Sequence, residues 1–102
     1  MFGFIKKLFG PPTDYKKLLS EGAIIIDVRT IGEFNSGSIK GSKNIPVDQI
    51  KNKLPELKKT GKSVILVCRS GARAGMAKNI LKSAGIEAYN GGSWNGLQLK
   101  IS

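Results

Sequence analysis

The sequence predicts an α/β fold with a mostly parallel central sheet and helices on both faces. Its most reactive segment is a loop between a strand C-terminus and a helix N-terminus. Three observations predict this. Ala23–Val28, with three consecutive isoleucines, and Val64–Val67 are apolar runs without alternation, as in strands covered on both sides. Segments with helical spacing of apolar residues separate them. The connections are short and punctuated by Gly and Pro, as in a strand–helix–strand alternation. At 102 residues the chain is long enough for one modest core and not for two.

Taken in order, residues 1–12 form an N-terminal arm and residues 13–102 the domain. The arm sets Phe2, Phe4, Ile5, Leu8 and Phe9 among Lys6 and Lys7. It is expected to dock on the domain or fray, with membrane contact by residues 1–10 the less favoured alternative. After Pro11-Pro12, Thr13 or Asp14 caps a helix through Ser20, and Gly22 stops it. Strand Ala23–Val28 follows, then a short helix over Ile31–Ser36 ending at Gly37. Ile39–Ile45 is a short strand or extended link closed by Pro46. Asp48 is placed to cap a helix through about Lys58, with Pro55 expected to bend or shorten it. Gly61 precedes the second apolar run. Ala74, Ala77, Ile80 and Leu81 mark a buried helical stripe closed by Gly85. Ile86–Tyr89 reads as the last strand, and Trp94–Ile101 as a closing helix.

Composition removes several classes of function. There is no histidine, one cysteine and seven scattered carboxylates, so neither a zinc or iron constellation nor histidine acid–base catalysis can be assembled. The expectation is therefore no metal and no cofactor. One cysteine makes no intrachain disulfide, and the first residues lack a cleavable-signal pattern, so the cytoplasm is the expected compartment. The formal charge of +10 fits nucleic acid, an acidic protein or an anionic surface. The lysines are spread as singles and pairs without interleaved aromatics, which disfavours nucleic acid.

Cys68 ends the second apolar run and opens Cys68-Arg69-Ser70-Gly71-Ala72-Arg73, ahead of a helix. A lone cysteine at the end of a strand is ordinarily a small buried hydrophobe. Here, however, two of the chain's three arginines flank the loop, against fourteen lysines elsewhere. Arginine offers a planar fork suited to oxyanions. A helix N-terminus adds free N–H groups and a favourable dipole, all of which promote the thiolate. The loop reads as an anion-cradling nucleophile site.

Three segments together resemble the single-domain rhodanese-like sulfurtransferases. Ile26-Asp27-Val28-Arg29, Glu33-Phe34 and the run Gly37 to Pro46 are similar to that family's first signature. Residues 68–73 are similar to its active-site loop, and Tyr89-Asn90-Gly91-Gly92 with Trp94 to its closing signature. The resemblance implies a single rhodanese-like domain in which the Cys68 thiolate takes a sulfane sulfur from thiosulfate or another persulfide donor. The resulting persulfide passes that sulfur to a thiophilic acceptor. In that scheme Cys68 is catalytic, and Arg69, Ser70, Gly71, Ala72 and Arg73 bind the small anionic donor through amides and guanidinium groups. Asp27, Arg29, Glu33 and Trp94 support the site, with Asp27 and Arg29 read as a charged pair bracing the loop. Ser70 could bond the persulfide or cap the following helix.

Two positions depart from the family pattern. Ser38 stands where histidine is usual, and Ser93 separates the two glycines from the aromatic residue, which bears on the pocket rim. A phosphatase or arsenate reductase of the same fold is the competing enzyme class. Its loop holds five residues between Cys and Arg, whereas four separate Cys68 from Arg73. A non-catalytic binding module is the other alternative, though such modules typically lose the cysteine. The basic surface would suit an acidic sulfur-carrier protein as partner.

Overall fold

The computed structural model describes residues 12–102. The expected arm falls almost wholly outside them, and only Pro12 of it is described. Helix α1 (Tyr15–Ser20) is followed by strand β1 (Ile24–Asp27) and helix α2 (Ile31–Ser36). Strand β2 (Lys43–Asn44), a 3₁₀ turn (Val47–Gln49) and helix α3 (Ile50–Thr60) come next. Strand β3 (Val64–Cys68), helix α4 (Ala72–Ser83), strand β4 (Ala88–Ser93) and helix α5 (Trp94–Ile101) complete the chain. The sheet order is β2-β1-β3-β4, and every pairing is parallel.

The apolar runs explain this order. All five β3 residues are buried, as are Ile25, Ile26 and Asp27 of β1, so these strands take the centre. Alternate residues then feed two cores. Ile26, Val64, Leu66 and Cys68 pack with Ile50 and Leu57 of α3 and with Ala74, Ala77 and Leu81 of α4. On the opposite face Ile25, Ile65 and Val67 meet Leu97 of α5, with Leu18, Leu19 and Trp94 around them. The C-terminal ends of β1 and β3 therefore lie side by side, with Asp27 opposite Val67. That juxtaposition builds the site.

The caps follow the residue chemistry. Asp14 Oδ1 accepts from the Lys17 N–H at 3.1 Å and starts α1. At α2, Thr30 and Glu33 form a reciprocal capping box. Three expectations are corrected. Asp48 caps no helix: it lies inside the 3₁₀ turn, and α3 starts at Ile50 without a side-chain cap. Pro55 does not end α3, which runs on to Thr60. The carbonyl of Lys51 that would have received the missing N–H belongs to an exposed residue, where water can satisfy it.

The last strand begins at Ala88, not Ile86, and continues through Gly91-Gly92. Ile86 instead donates its N–H to the Leu81 carbonyl at 3.0 Å, closing α4. Between Leu66–Asn90 and Cys68–Ser93 the register shifts, so β4 bulges across the glycine pair. A Cβ on Gly91 would lie 2.9 Å from Ile65 Cγ2 and 3.1 Å from the Leu66 carbonyl oxygen. Glycine is thus required for β4 to reach the end of β3. Gly91→Ala is expected to destabilise the fold by about 1–3 kcal/mol. Urea denaturation would read this as a lower midpoint with an unchanged slope.

Candidate functional site

The site grows from a buried ion pair at the end of β1. Asp27 is wholly buried and Arg29 is 5% exposed. Arg29 Nε and Nη2 donate to the Asp27 carboxylate at 2.9 and 2.7 Å, and the Arg29 backbone N–H adds a bond at 3.0 Å. Two further guanidinium hydrogens are used as well. Nη1 donates to the Glu33 carbonyl at 3.2 Å and Nη2 to the Gly37 carbonyl at 2.6 Å. The Arg29 guanidinium also lies 4.9 Å from the centroid of the Trp94 ring. A Cβ on Gly37 would stand 3.2 Å from Trp94 Cη2, so the turn after α2 packs directly on that ring.

Arg29 holds α2 at the Glu33 carbonyl and at its Gly37 end, and the capping box with Thr30 directs the Glu33 side chain. Its carboxylate accepts from Arg73 Nη1 at 2.7 Å and Nη2 at 3.0 Å, a bidentate bridge across forty residues of sequence. The same carboxylate accepts from the Thr30 backbone N–H at 3.1 Å. The Arg73 bond, and then that of Thr30, hold the Glu33 carboxyl down at about 2. Glu33 in turn keeps Arg73 more firmly protonated.

Arg73 lies in the first turn of α4, whose start is shaped around the sulfur. Gly71 has φ +100°, which a side chain would oppose. With its backbone so turned, its N–H donates to Cys68 Sγ at 2.9 Å, and the Ala74 N–H does so at 3.4 Å. Helix α4 has no other side-chain cap, and Ser70 does not serve as one. Burial raises the Cys68 thiol. The N–H groups of Ala74, Ser70, Gly71 and Arg73 outweigh it and leave the thiol below its ordinary value. This is a sulfur prepared to carry negative charge.

Asn90 was named in the sequence only as part of the closing motif, without a role. Its Nδ2 donates to the Gly71 carbonyl at 3.0 Å while its Oδ1 accepts from the Gly92 N–H at 2.9 Å. Tyr15 Oη donates to the Asn90 carbonyl at 3.0 Å. Asn90 thus ties the β4 bulge to the Cys68 loop. No sequence signal marks this, because the bond depends on the register shift. Ser93 stands opposite Cys68 in the register and accepts from the Gly96 N–H at 3.1 Å, capping α5.

The structure therefore brings Cys68, Gly71, Ala72, Arg73, Glu33, Arg29, Asp27 and Trp94 into one connected unit. Arg69 and Ser70 are exposed at its edge. Among the described residues, no three His, Cys, Asp or Glu side chains are grouped to hold a metal. No helix among them is long and apolar enough to cross a membrane.

Known proteins resemble this chain in sequence and in fold. The model for the rhodanese-like domain family matches residues 11–98. An uncharacterised Bacillus subtilis protein, YqhL, is 42% identical over 69 residues, covering 67% of this chain and 54% of that protein. The chain thus spans about half the length of that relative. The human single-domain sulfurtransferase TSTD1 superposes with a TM-score of 0.68 at 26% identity, over 91% of this chain and all of that one. A rhodanese with anions from E. coli gives a TM-score of 0.67 at 26% identity, covering 74% and 91% of the two chains.

Three outcomes test the geometry. Alkylation of Cys68 by iodoacetamide should show its pH midpoint below that of an unperturbed thiol. Asn90→Ala, by releasing Gly71, should move that midpoint up and slow alkylation at neutral pH. An unmoved midpoint would remove Asn90 from the loop's support. Asp27→Ala leaves the Arg29 charge buried without its partner and should cost about 3–5 kcal/mol of stability, read by denaturant unfolding.

Proposed function

Because this chain belongs to the rhodanese-like domain family, we propose that it is a sulfurtransferase working through one reactive cysteine, Cys68, which carries a sulfane sulfur as a persulfide. The observation that carries this reading is the pair of N–H bonds onto Cys68 Sγ, from Gly71 at 2.9 Å and Ala74 at 3.4 Å. They favour the thiolate that must attack, and they remain aimed at the sulfur when it serves again as a leaving group.

In the first half-reaction the Cys68 thiolate attacks the outer sulfur of thiosulfate or of an organic persulfide. The donor's own S–S or S–SO₃ bond breaks, and its leaving group departs as an anion with the bonding pair. In the second, a nucleophilic acceptor takes the outer sulfur and Cys68 returns to a thiolate. Neither half needs a general acid, since both leaving groups are stable anions. A chain without histidine can therefore complete the cycle. The loop amides supply the preorganised field that replaces water around the sulfur. Arg69, exposed at the loop's edge, is the side chain that meets an anionic donor first. Arg73 acts through Glu33 and the start of α4 by holding the loop in place.

The acceptor proposed is a small thiol or cyanide in the test tube, and an acidic sulfur-carrier protein as partner. The charge of +10 supports the latter by steering an acidic surface toward the site. Transfer to such a carrier should fall steeply between low and physiological salt, while transfer to cyanide should change little. Salt-independent carrier transfer would sink the partner assignment.

The cycle itself is read by intact mass. Wild type incubated with thiosulfate or glutathione persulfide should gain the mass of one sulfur, and cyanide should remove it as thiocyanate. Cys68→Ser should gain none. Absence of the adduct with both donors would overturn the reading.

A further inference from the structure

We infer that the site's preferred donor is an organic persulfide, R–S–SH, and that thiosulfate is a poor one; this rests on the sulfurtransferase reading above. The argument begins with the charges around the sulfur. Two arginines flank Cys68, but they are not equivalent. Arg73 is bound bidentately by Glu33, at 2.7 and 3.0 Å, with both side chains about one-third exposed. Its positive charge is compensated before any donor arrives. Arg29, the third arginine, is likewise compensated by Asp27 at 2.7 Å. Among the described residues only Arg69 brings the loop a guanidinium without an ion-pair partner. With Cys68 as thiolate, the sulfur, the three guanidinium groups, Glu33 and Asp27 sum to zero.

A donor cannot cheaply take Arg73 from Glu33. The Glu33 carboxylate also accepts from the Thr30 N–H at 3.1 Å and from Thr30 Oγ1 at 3.1 Å. Pulling Arg73 away would therefore expose a carboxylate held in place by the α2 cap, facing the incoming anion. At neutral pH that carboxylate is fully ionised. Nor do the nearest loop amides compensate for the missing charge. The Gly71 and Ala74 N–H groups are aimed inward at Sγ, so they serve the sulfur and not a distant sulfonate. The overall charge of +10 does not distinguish the donors at contact range, because exposed charges are screened within about 8 Å at physiological ionic strength.

Thiosulfate is a dianion whose leaving group, sulfite, carries away two negative charges past Glu33. An organic persulfide with an uncharged R group is neutral or singly charged, and its leaving thiolate carries one. The favoured step is then Cys68–S⁻ plus R–S–SH giving Cys68–S–SH plus R–S⁻. One S–S bond forms and one breaks, the outer sulfur and its proton move together, and the electron pair leaves with the donor thiolate. No further oxidant or reductant is needed.

Glu33→Gln separates the charge from the fold. Glutamine at this position keeps the capping box with Thr30, but it releases Arg73 from its bidentate partner. Wild type and Glu33→Gln would be assayed for kcat/KM with thiosulfate and with 2-hydroxyethyl persulfide, whose R group is uncharged, using cyanide as acceptor and thiocyanate formed above the enzyme-free rate as readout. Wild type should favour 2-hydroxyethyl persulfide by at least about tenfold. Glu33→Gln should raise the thiosulfate-to-persulfide ratio by about tenfold, mainly through a lower KM for thiosulfate. Equal or better use of thiosulfate by wild type overturns the inference, and that result needs no variant. An unchanged ratio in a folded Glu33→Gln overturns the role of Glu33. Failure of both donors to load sulfur on Cys68 overturns instead the sulfurtransferase reading on which the inference rests.

Discussion

The buried pair Asp27–Arg29 is the constraint on which the site depends. A charge in a core of isoleucine, valine and leucine is tolerable only if it is paired and hydrogen-bonded. Arg29 meets that demand by reaching the Asp27 carboxylate, the carbonyls of Glu33 and Gly37, and the face of Trp94. Its needs thus fix the position of α2 and of the α5 N-terminus relative to the sheet. Once α2 is fixed, Glu33 has one direction in which to point, and Arg73 lies there. The start of α4 is thereby set against the end of β3, where the sulfur emerges.

The two faces of the sheet share the work unequally. On the α3/α4 face, Ala74 and Ala77 let α4 lie close over β3, and the closeness brings backbone N–H groups to Sγ. On the α1/α5 face, Tyr15 and Trp94 hold the bulged end of β4 and the turn after α2. Asn90 joins these contributions, since its backbone answers to Tyr15 and its side chain to Gly71. The loop around Cys68 is therefore held from three directions by parts of the chain distant in sequence.

Much of this was legible in the residues. The triple isoleucine and the Val64–Val67 run announced central parallel strands, and the short helix over Ile31–Ser36 was legible too. The pairing of Asp27 with Arg29, and Glu33's place in their network, were expected and are observed. What could not be read was whatever depends on register. The bulge at Gly91-Gly92 arises from how β4 meets β3, so the last strand begins and ends later than its apolar residues suggest. The bridge from Arg73 to Glu33 could not be read either, because the two stand forty positions apart. Asp48 looked like a cap because the intervening 3₁₀ turn leaves no trace in the apolar spacing.

One further consequence follows from where the sulfur sits. The Ala74 N–H, third in α4, is the group that a serine or aspartate at the helix start would ordinarily take. Here Cys68 takes it from three residues before the cap position, so the reactive atom is also a structural one. In the proposed cycle, charge that moves outward onto an added sulfur would take part of the terminal counter-charge away from α4. The atom that does the chemistry and the atom that ends the helix are one and the same.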